Sequence, residues 1–137
     1  MPIRYERHIT RAMLRSEPAT LFVFGDNLQR RGLGGQAKEM RGEPNAVGIP
    51  TKRAPSMRPD AFFSDADLFD FAWDSDREFA RLMDHMEAGG LVVLPADGIG
   101  TGLADLERRA PRVWERLQMR IQELKDVSFA PVSTGRG

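Results

Sequence analysis

The sequence predicts a single α/β domain in three layers, with a largely parallel central sheet between helices. Three observations carry that prediction. Two short, continuous apolar runs, TLFVF at 20–24 and LVVLP at 91–95, have the pattern of strands covered on both faces, as in a parallel sheet. Segments of helical periodicity alternate with the strand candidates, as crossover connections require. The chain has 137 residues, 41% hydrophobic and 29% charged, which suits one globular domain. No repeat or low-complexity linker divides it. Residues 1–130 are assigned to the domain and 131–137 to a flexible C-terminal tail.

The elements follow in order. Residues 8–15 predict a helix with Ile9, Ala12 and Met13 on one face, ended by Pro18. The strand at 20–24 comes next, then a short helix over 36–41 and a strand over 45–49 that Pro50 stops. Residues 51–64 carry Pro55 and Pro59 and little periodicity, and read as a long loop. Residues 65–73 fit helix and loop equally. From about Asp74 a helix places Phe79, Leu82, Met83 and Met86 on one face, and Gly89-Gly90 closes it. After the strand at 91–95 comes a glycine-rich loop over 96–106. Pro111 stands where a first-turn proline belongs, ahead of a helix with Val113, Leu117, Ile121 and Leu124 on its core face. Residues 127–132 predict a last short strand.

Composition excludes several functions. Lys plus Arg equals Asp plus Glu at 20 each, so no net charge draws the chain to nucleic acid or to an anionic membrane. The absence of cysteine removes disulfides, thiolate zinc sites and a cysteine nucleophile, and fits a cytoplasmic protein. The first ten residues, MPIRYERHIT, are too polar for a signal peptide, and no apolar run approaches the roughly 20 residues that span a bilayer. The histidines, His8 and His85, lack the spacing of a metal site, and His85 reads as a partly exposed helix residue. Trp73 and Trp114 read as core or rim packing. Phe62-Phe63 reads as an anchor for the long loop, with base stacking as the lesser alternative.

Two loops carry the chemistry. The first, FGDNLQRRGLGGQ, leaves a strand through Gly25, Asp26 and Asn27, then passes Gly32, Gly34 and Gly35 before a helix begins at Gln36. Glycines let backbone N–H groups approach a ligand, and a helix N-terminus adds partial positive charge, so the loop suits phosphate. The second places Gly98, Gly100 and Gly102 at alternate positions, with Ile99 and the Thr101 hydroxyl between them. Two such cradles suit a diphosphate better than a single small anion. Asp26 and Asp97 at the loop roots either cap backbone N–H groups or face a ribose hydroxyl, a base amino group or a water. Lys52 follows the second strand and reaches either an anion or solvent. Neither loop is a Walker motif, and GLGGQA departs from the dinucleotide fingerprint.

The segments FVFGDNLQRRGLGGQA, NAVGIPTK and VVLPADGIGTGLADL together resemble a family of small bacterial and phage proteins similar to macrodomains, the ADP-ribose-binding α/β fold. The resemblance implies a macrodomain-like fold and ADP-ribose or a related nucleotide as ligand. It implies that Asn27 meets the distal ribose, that Gly34-Gly35 wrap the phosphates, and that residues 98–102 close over them. Gly-Asp-Asn stands where macrodomains carry Asn-Ala-Ala-Asn, and their early Gly-Asp-Ile segment has no counterpart. Catalysis at the distal ribose, by removal of ADP-ribose from a target or of a phosphate from its terminus, would use Asp26 or Asp97 as base. The motifs require no metal or cofactor. A non-catalytic reader of ADP-ribosylated macromolecules uses the same loops. Nucleic-acid binding through Arg30, Arg31, Lys52, Arg53 and Arg58 is the weakest of the three readings, given the zero net charge.

Overall fold

The computed structural model describes residues 2–129. Its elements run β1 (Ile3–Glu6), α1 (Arg11–Ser16), β2 (Leu21–Asn27), α2 (Ala37–Met40), β3 (Ala46–Lys52), 3-10 turns at Pro59–Ala61 and Asp65–Asp67, α3 (Leu68–Glu87), β4 (Val92–Pro95), α4 (Leu106–Arg109) and α5 (Pro111–Phe129). The four strands pair in parallel in the order β1-β4-β2-β3. Crossovers between parallel strands are right-handed for steric reasons. The steps from β1 to β2 and from β2 to β3 run one way across the sheet, so α1 and α2 share a face. The step from β3 back to β4 reverses direction and puts α3 on the other.

The side chains of β2 show both layers. Leu21 and Val23 join Val47, Ile49, Val92 and Leu94 in a core closed by Phe71, Phe79 and Leu82 of α3 and Val113, Leu117 and Leu124 of α5. Phe22 and Phe24 point the other way, into a smaller core with Val93, Leu14 of α1, and Ala37 and Met40 of α2. Strands covered on both sides have no polar face, hence the unbroken apolar runs. No helix among the described residues is long and apolar enough to cross a membrane.

Several boundaries differ from the sequence expectation. The first helix begins at Arg11, because Thr10 caps it by accepting from the Met13 N–H, and its buried residue is Leu14 while Ala12 is exposed. The Asn45 side chain donates to the carbonyls of Leu14, Glu17 and Thr20, which ties off the end of that helix. The strand at 45–49 does not stop at Pro50 but runs to Lys52. β3 is an edge strand, where a missing N–H costs no ladder bond. The long central helix starts at Leu68, six residues before Asp74, behind a capping box in which Ser64 and Asp67 satisfy each other's backbone. Residues 127–129 continue α5 instead of forming a strand, and 130–132 lie outside the described residues, as does the tail. β1 carries no apolar run because it is a short, half-buried edge strand.

Candidate functional site

The two glycine-rich loops leave the carboxyl ends of β2 and β4. β2 leads to α2 on one face, and β4 leads to α5 on the other, which opens a crevice between the two strands at the position where open α/β sheets bind ligands. Their ladder covers only Leu21 and Phe22 of β2, so beyond Phe22 the strands part. Gly25 is exposed in the middle of an otherwise buried strand. A Cβ there would stand 3.5 Å from the Thr51 hydroxyl and 3.6 Å from Ile99. Thr51 thus forms one wall and Ile99 the other, with Gly25 as the floor. Gly100 packs against the same Thr51, so the second loop is pinned to the end of β3.

The predicted residues divide by what they touch. Gly34, Gly35 and Gly102 have nothing within 4 Å of a notional Cβ, so their backbones are open. Gly32 lies against Pro55, where a Cβ would come within 2.7 Å, and its positive φ of 96° admits glycine best; it docks the first loop on the long loop. Gly98 and Gly100 also have positive φ, which forms the tight turn of the second loop. Ile99 is buried in the larger core and Gln36 donates to the Ile9 carbonyl, so both side chains have structural duties. Thr101 is exposed, with its hydroxyl donated to the Asp97 carbonyl at 2.9 Å, and the Asp97 side chain faces solvent.

Asp26 and Asn27 are the last residues of β2 and buried, not loop residues. Asp26 is only 7% exposed. Its carboxylate receives both terminal nitrogens of Arg41 and the Asn27 N–H, and Arg30 stands 3.6 Å away. Arg30 also donates to the Gly48 carbonyl and to Asp74 of α3. This network engages both oxygens of Asp26 with arginine and backbone donors. Asn27 donates Nδ2 to the Arg31 carbonyl at 2.8 Å, while its Oδ1, enclosed, accepts no hydrogen bond. A buried acceptor without a donor is rare and costs stability, and it stands at the root of the first loop. A shallow depression of about 240 Å³ lies on the α2 side, where Asp26, Arg30, Arg41 and Arg77 line it.

The other candidates take definite places. The Lys52 ammonium donates to the Ser56 carbonyl and lies 4.6 Å from the centre of the Phe62 ring. Burial holds it below the ordinary lysine range, and Arg109 adds to the effect. Phe62 and Phe63 are both buried, so they anchor the long loop. Arg53 is taken up by Asp67, while Arg31 and Arg58 remain exposed. His85 bonds the Leu91 carbonyl, away from the crevice. Trp73 is not packed in the core: it is 76% exposed and stacks on the equally exposed Phe69 one turn before it. Sequence reasoning missed Thr51, Arg41 and Arg109. Thr51 had one signal, its place beside Lys52 at the end of a strand; the two arginines had none.

The model of one family, described as a family of unknown function (DUF7831), matches residues 4–120, which takes in both loops, β2 to β4 and all of β1 but Ile3. No curated protein and no solved structure matches the chain.

Proposed function

The chain belongs to that family of unknown function, so its activity has to be read from its own residues, and we propose that it binds ADP-ribose or a related nucleotide diphosphate through a macrodomain-like fold. The observation that carries the reading is the crevice itself: an exposed glycine floor between two glycine-rich loops at the carboxyl ends of parallel strands. A diphosphate lies along the open backbone of Gly34, Gly35 and Gly102, where N–H groups approach it without Cβ interference. The distal ribose lies toward Asn27, whose buried Oδ1 lacks a donor and suits a hydroxyl.

If a bond at that ribose is cut, Asp97 is the better base, because its carboxylate is free while Asp26 is held by two arginines. Calorimetric titration with ADP-ribose, using AMP and NAD as comparators, tests the reading. Gly34→Leu and Gly102→Leu are the informative variants. Both positions have open space and neither has a strained φ, so the fold should not change. We expect ADP-ribose binding that each variant weakens at least tenfold at constant thermal stability. No heat with any of the three ligands would sink the proposal. Turnover that Asp97→Ala abolishes with binding intact identifies a hydrolase; binding with no turnover on any ADP-ribose derivative identifies a reader.

A further inference from the structure

Two cations from different elements lie over one buried ring, that of Phe62. The Arg109 guanidinium lies 3.8 Å from the centre of Phe62 and the Lys52 ammonium 4.6 Å from it. Phe62 is held there by an antiparallel bridge to Lys52 and is only 4% exposed. Lys52 ends β3 directly opposite Asn27, and its carbonyl accepts the Leu28 N–H at 2.9 Å. Arg109 ends α4, which the second loop positions: Leu106 donates its N–H to the Gly100 carbonyl and packs where a Gly100 Cβ would be. The pair therefore touches the root of the first loop through β3 and the end of the second through α4.

Among the described residues neither cation has a carboxylate of its own. The nearest to Arg109 is Asp105 at 3.9 Å, and that carboxylate is already bonded to Arg108. Among the described residues Lys52 donates to the Ser56 carbonyl, lies 3.9 Å from Met57 Sδ, and makes no salt bridge. Of the acids in this segment, Asp67 is taken by Arg53 and Asp60 lies 3.9 Å from Arg58. Elsewhere the arginines that are half-buried find acids: Arg4 has Glu17, Arg11 has Glu43, Arg30 has Asp74 and Arg41 has Asp26. Burial and the neighbouring charge of exposed Arg109 both work against the charged form of Lys52, and an anion shared by the two would relieve this. The face of an aromatic ring orients the cations but does not neutralise them.

We infer that Lys52 and Arg109 form an oxyanion subsite, built on Phe62 at the carboxyl end of β3, that takes a phosphoryl or diphosphoryl group. Arg109 offers a planar fork of donors, and Lys52 offers a compact charge with donors to spare. The subsite gives the glycine loops, which supply only partial charges, a pair of full positive charges at their margin. The nucleotide as its ligand rests on the proposed function; the anion itself does not.

Inorganic pyrophosphate and ADP-ribose, each titrated calorimetrically into the full chain, separate the two. Arg109→Gln removes the charge, and Arg109→Lys restores it without the fork; far-ultraviolet circular dichroism and the urea midpoint check the fold of each. Lys52→Met is the second probe, independent of α4. The expected result is pyrophosphate binding that Arg109→Gln and Lys52→Met each weaken at least tenfold, and that Arg109→Lys partly recovers. ADP-ribose binding should fall by a similar factor. If pyrophosphate binds and depends on Arg109 while ADP-ribose does not bind, the subsite stands and the nucleotide reading falls. If ADP-ribose binds equally well to all three variants, the nucleotide reading stands and the subsite is overturned. If wild type binds neither ligand, both are overturned.

Discussion

Asp26 illustrates how one residue's role depends on partners far away in sequence. Gly-Asp-Asn at the end of an apolar run marks it as special, but Arg41, which takes its carboxylate, lies fifteen residues on in a turn after α2. Gly48 of the neighbouring strand makes room for the arrangement, since a Cβ there would come within 2.6 Å of Asp26 Oδ2 and 3.1 Å of Arg30. Two experiments follow from this geometry. Asp26→Asn leaves Arg41 and Arg30 without their shared carboxylate and should cost roughly 3 kcal/mol of folding stability. Gly48→Ala should cost about 1–3 kcal/mol by pushing the carboxylate off its partners. The losses should not add in the double variant, because both act on one network. Urea midpoints within about 0.5 kcal/mol of wild type for both single variants would show that the network contributes little. The glycines divide in the same way. Every one of them is legible as a glycine, but only the packing tells that Gly32 docks on Pro55 while Gly34 stands open.

Among elements, residues 51–64 were legible as a loop and Phe62-Phe63 as its anchor, but the ion pair that clamps the segment was not. Buried Phe62 and Phe63 pin it, and Arg53 reaches across it to Asp67, which also accepts the Ser64 N–H and starts α3. Burial alone would raise the Asp67 carboxyl, but the hydrogen bonds from Arg53 and Ser64 outweigh it and hold the group below the usual carboxylate range. A depressed folded pKa means stability that is present above the unfolded value, about 4, and is lost as pH falls through the folded one. Asp67→Asn should therefore lower the unfolding midpoint at pH 7, and its difference from wild type should shrink as both are measured below about pH 4. An equal difference at both pH values would remove the ion pair from the account. The start of α3 was missed for a related reason: Phe69 and Trp73 lie on its outer face, which blurs the apolar stripe that marks a helix.

For the whole molecule, equal numbers of acids and bases mean that the field at a distance is weak, and the structure shows where the local charge goes. Of the basic residues that composed the nucleic-acid reading, Arg30 and Arg53 are committed to Asp74 and Asp67. Of that set Arg31 and Arg58 remain exposed, and Lys52 donates to the Ser56 carbonyl. A 20-nucleotide single strand should therefore show no binding at 150 mM salt, checked by fluorescence anisotropy; submicromolar binding that falls steeply with added salt would contradict this. The sequence by itself determined the α/β class, the alternation of strands with helices, the continuous apolar strands and the two glycine-rich loops, because hydrophobic periodicity and backbone freedom are local properties written residue by residue. Tertiary structure alone decided the strand order, which puts β4 between β1 and β2 and opens the crevice where β2 and β4 part. It also decided which charged groups are occupied and which are free, since Asp26 meets Arg41 and Lys52 meets Arg109 only when separate elements pack together. Pairing between distant residues follows from chain geometry and competition for counter-charges, and neither leaves a local mark on the sequence.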